Sequence, residues 1–133
     1  MLEQVHRGGS VERASAAVEF ALVLPLVLVV ALALVQVGLL VKDQLIVEES
    51  ARAGARQAAV SIDDASARQA AIDAAVSLEP DRLGVSISRG EGGGSPVTVT
   101  VVFHAPASVP VVSWLFPSAI ELTGTAIMRQ EAG

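Results

Sequence analysis

Residues 20–41 read FALVLPLVLVVALALVQVGLLV and contain no charged side chain. Within this stretch, called the apolar run below, Gln36 has the one polar side chain. As an α-helix, the run would be about 33 Å long at roughly 1.5 Å per residue, enough to cross the ~30 Å hydrocarbon core of a bilayer. Lipid offers no hydrogen-bond partners, so a helix is favoured despite the many valines. The apolar run therefore predicts a membrane-spanning helix from Phe20 through Pro25 to Val41.

A cleaved signal peptide is the alternative interpretation of the same stretch. Arg7 and Arg13 precede it, and residues 31–33 have the small-residue pattern of a cleavage site. A cleaved apolar segment ends near its cleavage site, whereas this one continues to Val41. We therefore favour a retained helix. Positive charges on its two sides nearly balance and do not decide its orientation.

The composition narrows the classes of function. The chain has 133 residues, enough for one domain, and no cysteine, which excludes disulfides, thiol catalysis and cysteine-bound zinc. Its net charge is −5 and its 9 Lys and Arg residues are scattered, so no nucleic-acid partner is expected. No nucleophile lies near a plausible base, and the two histidines, His6 and His104, are far apart. We therefore expect no catalytic activity, no cofactor, no metal site and no small-molecule substrate.

Beyond the apolar run, the sequence predicts a small head whose first part is helical. Residues 42–60 are rich in helix-forming residues and continue the membrane helix. Small residues recur there every four positions: Ala51, Ala55 and Ala59, with Gly54 and Ala58 beside them. We interpret this stripe as helix propensity rather than as a packing seam. Asp63 or Asp64 is expected to cap a second helix that reaches to about Leu78.

Past Pro80, the spacing of apolar residues changes from the helical period to the period of two that is typical of strands. Alternating β-branched residues predict three strands, near residues 85–88, 97–103 and 120–128. The glycine-rich residues 90–95 predict a hairpin connection. Residues 105–118 contain three prolines and predict a loop with its aromatic residues packed on the sheet. For Trp114, packing in the head or at the membrane surface is expected rather than ligand binding. The predicted fold class is α+β, with a second helix and a small antiparallel sheet of about three strands.

Two residues near the start of the apolar run need separate explanations. Glu19 directly precedes the run, where its carboxylate either interacts with the positive end of the helix or docks against a cation of a neighbouring protein. Pro25 lacks the N–H group that would bond to the Ala21 carbonyl, so we expect a kinked helix.

Residues 16–25 read AAVEFALVLP and resemble the signature of the TadE-like family, minor pseudopilins of the Flp, or tight-adherence, pilus system. In that family, a small run precedes Val-Glu-Phe/Tyr-Ala-Leu and then Leu-Pro inside one N-terminal membrane helix. The resemblance covers residues 14–56 and extends more loosely to the C-terminal region, at 109–116 and 122–129. It implies a non-catalytic structural or assembly component of the pilus.

The resemblance also implies a processing site. Members of the family are cut by a prepilin peptidase on the cytoplasmic side, which leaves the glutamate as the fifth residue of the mature chain. In this chain, the matching glutamate is Glu19, which Phe20 follows. If Glu19 is the fifth residue of the mature chain, the peptidase cuts between Ala14 and Ser15. The family pattern prefers glycine where Ala14 stands. In such pseudopilins, the glutamate is thought to neutralise the N-terminal amine of a neighbouring subunit.

The orientation and partners follow from the same resemblance. It implies a cytoplasmic leader at residues 1–14, a membrane helix at 15–41 and an extracytoplasmic head at 42–133. The implied partners are membrane lipid, the prepilin peptidase, the major pilin and other minor pseudopilins. The alternative is a single-pass, membrane-anchored binding module unrelated to pili, and a membrane-tethered enzyme is a third interpretation.

Overall fold

In the computed structural model, one long helix carries both the apolar run and the first part of the head. The structure describes residues 2–131, with side chains from residue 8 onward. Helix α1 spans Leu2–Val60 and continues through Pro25. The prediction that the membrane helix continues to Val60 is thereby confirmed. The kink at Pro25 stays a prediction.

The second helix is capped as the sequence predicts, but it is shorter. Helix α2 spans Asp64–Ala74, and the Asp63 carboxylate accepts hydrogen bonds from two backbone N–H groups of the first turn, at 3.1 and 3.2 Å. The expectation that this helix reaches about Leu78 is wrong. The Ala75 N–H donates to the Ile72 carbonyl at 3.0 Å, and this tighter turn ends the α-helical hydrogen-bond pattern.

The remaining elements form one antiparallel sheet in the order β1-β2-β3. Its strands are Leu83–Arg89 for β1, Pro96–Pro106 for β2 and Ala119–Arg129 for β3. A short 3₁₀ helix at Pro80–Arg82 leads into β1. Between β1 and β2, Gly92 and Gly94 adopt φ angles of 84° and 83°, a region that side chains disfavour. The predicted hairpin and the α+β class with three strands are confirmed.

The head core is made of small residues on the helices and β-branched residues on the central strand. Its fully buried members include Ala51, Ala55, Ala58, Ala67, Ala71, Val97, Val99 and Val101. A Cβ atom added to Gly54 would lie 3.0 Å from the Ala71 Cβ and 3.1 Å from the Val99 Cγ1. The small-residue stripe of α1 is therefore a packing seam, and our preference for helix propensity alone is wrong. The reason is distance, since α2 and β2 approach α1 too closely for larger side chains.

Strand β3 lies directly against the backbone of α1. A Cβ atom added to Gly124 would lie 2.8 Å from the Val47 carbonyl oxygen and 3.0 Å from the Glu48 Cα. The Gln44 amide also donates to the Thr123 carbonyl at 3.0 Å. The head is thus assembled along the C-terminal part of α1 rather than joined to it by a linker.

Residues 107–118, called the β2–β3 loop below, connect the last two strands and include a short 3₁₀ helix at Ser113–Leu115. Val112 is fully buried, whereas the Trp114 side chain is 74% exposed. The expectation that Trp114 packs on the sheet is wrong, and a position at the membrane surface stays a prediction. The Leu115 N–H donates to the Val112 carbonyl at 2.9 Å, and this tight turn buries Val112 while Trp114 lies outside the packed head.

Candidate functional site

The predicted processing site lies within α1. Ala14, Ser15, Glu19 and Phe20 are all exposed and all helical. Among the side chains of residues 8–131, none forms an ion pair with Glu19. This part of the helix therefore presents an uncompensated carboxylate at the start of an apolar surface. Cleavage between Ala14 and Ser15 stays a prediction.

The apolar run presents large aliphatic side chains on its outer surface. Phe20 is 67% exposed, Leu34 is 67% exposed and Val41 is 55% exposed. In the part of the chain that the structure describes, α1 is the one helix long and apolar enough to cross a membrane, and its most apolar window is not buried at all within the protein. An exposed apolar surface of this length is suited to lipid or to the apolar helices of other subunits.

Gln36 interrupts this surface and makes a contact that the sequence did not indicate. Its side chain is 99% covered, and its Oε1 accepts a hydrogen bond at 3.0 Å from the N–H of Val109 in the β2–β3 loop. The loop therefore reaches back past Val41 and lies against the apolar run. Sequence periodicity could not find this contact because 73 residues separate the partners.

A carboxylate lies just beyond the C-terminal end of the apolar run. Asp43 lines a cavity of about 210 Å³ between α1 and the head, together with Leu39, Phe103 and Ser108. Burial raises the pKa of the Asp43 carboxyl above its ordinary value of 3.8, and the nearby charge of Lys42 offsets part of that rise. This end of the head is thus a partly desolvated environment for a charge.

The opposite end of the head is held by Arg89 of β1. Its Nε lies 2.6 Å from the Asp64 Oδ1, and its two terminal nitrogens donate to the Ala58 carbonyl at 2.8 Å and the Ser61 carbonyl at 3.0 Å. Carbonyls in the last turn of a helix lack partners within the helix. One guanidinium therefore ties the C-terminal end of α1 to α2 and to the sheet. No local pattern in the sequence predicts this role of Arg89.

The remaining polar candidates do not form a cluster. His104 lies near the end of β2 and is exposed, with its Nε2 3.8 Å from the Glu121 Oε2 on β3. The His6 side chain lies outside the described ones. Among the described residues, no three His, Asp or Glu side chains are grouped so that they could hold a metal ion. The absence of catalytic activity stays a prediction.

Comparison with known proteins points to one segment of the chain. No curated protein and no solved structure matches the chain. A family model described as TadE-like protein matches residues 14–56. These residues include the predicted processing site, Glu19, the apolar run and the part of α1 that begins the head. Over residues 14–56 the chain is therefore similar to TadE-like proteins, which confirms the family resemblance of its sequence.

Proposed function

We propose that the protein is a minor pseudopilin, a non-catalytic structural and assembly component of a Flp-type pilus. One observation carries the proposal. A single helix joins an exposed apolar surface, preceded by Glu19, which forms no ion pair with the described side chains, to a head that is folded on the last part of the same helix. Such a subunit can be held in lipid and then packed beside other apolar helices without refolding its head.

The assembly role assigned to Glu19 follows from electrostatics. A carboxylate at the border of an apolar bundle is stabilised by a cation, because water no longer solvates it fully. The N-terminal amine of a neighbouring processed subunit supplies such a cation. Pairing it with Glu19 would fix the axial register of the two helices. The N-terminus is then cytoplasmic before processing, and the head is extracytoplasmic.

The N-terminal mass of the protein from native membranes tests this proposal. We expect a peptide that begins at Ser15, with the leader removed after Ala14 by the prepilin peptidase. A start at Met1 would instead favour a membrane-anchored binding module unrelated to pili. A start at Leu34 would mean that the apolar run is a cleaved signal peptide and that the head is secreted.

The variant Glu19→Ala tests the pairing separately. We expect normal membrane insertion and fewer assembled pili, because the neighbouring amine loses its partner. The matched control is Glu12→Ala, an exposed carboxylate of the same helix that lies in the predicted leader. Pilus number is counted by electron microscopy, and insertion is measured by resistance to carbonate extraction. Normal pili from Glu19→Ala would contradict the pairing.

A further inference from the structure

The β2–β3 loop has an apolar surface that the head does not cover. Val111 is 55% exposed, Trp114 is 74% exposed and Leu115 is 47% exposed. From Ala105 to Ile120, no side chain carries a charge. A soluble domain has little reason to present its one tryptophan and two large aliphatic residues together to water.

The contact with Gln36 fixes the position of this loop along the apolar run. The N–H of Val109 donates to the Gln36 side chain at 3.0 Å. Gln36 lies about 7.5 Å before Val41 along the helix axis, at roughly 1.5 Å per residue. Counted from Phe20, even a short membrane span of about 17 residues ends at Gln36. Wherever the bilayer ends between Gln36 and Val41, the part of the loop at Val109 is therefore at or below its surface.

The backbone of the loop suits the border of a bilayer rather than its centre. Irregular backbone is not tolerated against the hydrocarbon core, because its N–H and C=O groups lack partners there. Pro110 and Pro117 remove two N–H donors, and the Val109 N–H is satisfied by Gln36. Tryptophan side chains favour the headgroup level, where the ring is in apolar surroundings and the indole N–H can reach water.

From these observations we infer that the β2–β3 loop inserts into the outer headgroup region of the bilayer, with Trp114 and Leu115 as its anchoring side chains. The partner is the lipid surface itself. The loop and the apolar run then hold the protein in the membrane at two points, so α1 and the head cannot rotate together freely about the helix axis. This inference depends on the membrane anchoring of the proposed function.

Trp114 is the only tryptophan of the chain, so its own fluorescence reports the loop without a label. The full-length protein is reconstituted in phosphatidylethanolamine–phosphatidylglycerol vesicles with or without brominated acyl chains, and flotation confirms that it is membrane-bound. We expect bromines near the headgroup end to reduce Trp114 emission at least about twofold, and more than bromines near the methyl end. Aqueous acrylamide should quench Trp114 weakly.

The matched control moves the tryptophan to the far end of the head. In the double variant Trp114→Phe, Ile62→Trp, the new residue replaces a side chain that is 70% exposed between α1 and α2. That position follows the end of α1 at Val60, which lies about 28 Å beyond Val41 along the helix. We expect strong quenching by acrylamide and none by brominated lipid. Far-ultraviolet circular dichroism confirms that the double variant is folded.

The other outcomes separate the two proposals. If the protein floats with the vesicles but acrylamide quenches Trp114 as strongly as it quenches the control, the loop insertion is wrong and the anchoring stands. If Trp114 is protected from acrylamide yet unaffected by brominated lipid, a second copy of the chain covers the loop and the insertion is wrong. If the protein does not float, the membrane anchoring fails and the insertion fails with it.

Discussion

Helix α1 has two regions that belong to one continuous backbone and differ in the size and direction of their side chains. Along residues 20–41, large side chains such as Leu34 lie outside, whereas along residues 42–60, small ones such as Ala55 lie inside. Lipid can solvate a large apolar surface, so the first region needs no protein contact before Gln36, where the β2–β3 loop reaches it. The second region contacts α2 and the sheet closely. Hydropathy therefore locates the helix, and side-chain size indicates which part of it touches protein.

The largest expected effect comes from a charge in the middle of the apolar run. Val30→Arg should impair membrane insertion by about 2.5–3.5 kcal/mol, because an arginine near the centre of a bilayer is poorly solvated. Val60→Arg is the matched control, since Val60 belongs to the same helix and is 58% exposed, against 51% for Val30. The measurement is the carbonate-resistant fraction of each variant. Equal fractions would show that the two regions have the same surroundings.

The second effect concerns the far end of the head. Arg89→Met should destabilise the head by about 1.5–3 kcal/mol, because the Ala58 and Ser61 carbonyls lose a charged donor. Arg129→Met is the control, an exposed arginine at the end of β3. The unfolding temperatures of the two variants in detergent are compared, with near-ultraviolet circular dichroism as the signal. If the Arg89 variant were as stable as its control, the hydrogen bonds of Arg89 would not stabilise the head.

The third effect compares two glycines of α1. Gly54→Val should destabilise the head by about 1–3 kcal/mol, because its Cβ would meet Ala71 and Val99 at close to 3 Å. Gly38→Val places the same side chain in the apolar run, where a Cβ meets nothing within 4 Å. The change in helix propensity is the same at both positions. Unfolding temperatures lowered equally would contradict the distinction between the two regions.

The smallest effect lies at the border of the two regions. Burial raises the pKa of Asp43 in the folded state, so that state binds more protons than the unfolded chain between pH 3.8 and the raised value. Head stability should therefore rise slightly as the pH falls through this window, and should stay level above it, because solvent screens this partly exposed group. Asp43→Asn should abolish the rise, and Asp81→Asn, an exposed carboxylate, should leave it intact. Unfolding titrations of both variants at several pH values measure this dependence of stability on pH.

The sequence predicted the features of the fold that depend on neighbouring residues. The apolar run, the Asp63 cap and the three alternating strands each depend on a local pattern, and each agrees with the structure. The fold class followed from their order. The seam at Gly54 was misjudged because alanine and glycine at a spacing of four fit both an isolated helix and a packed one.

The candidate site was predicted only in its N-terminal part. Ala14, Ser15 and Glu19 came from a motif and remain exposed in the structure. The contact between Gln36 and Val109 and the three bonds of Arg89 were not predicted, because each joins residues at least 25 positions apart. The residues next to Gln36 and Arg89 in the sequence do not indicate which distant residues these side chains contact.

The continuity of α1 gives the protein a mechanical property. A helix that crosses the lipid and forms the spine of the head acts as a lever, since the apolar run and the head turn together. Val60 lies about 28 Å beyond Val41, so each 10° of tilt moves it sideways by roughly 5 Å. Bilayer thickness influences the tilt of a spanning helix. The direction in which the head points is thus coupled to the thickness of the membrane that holds it.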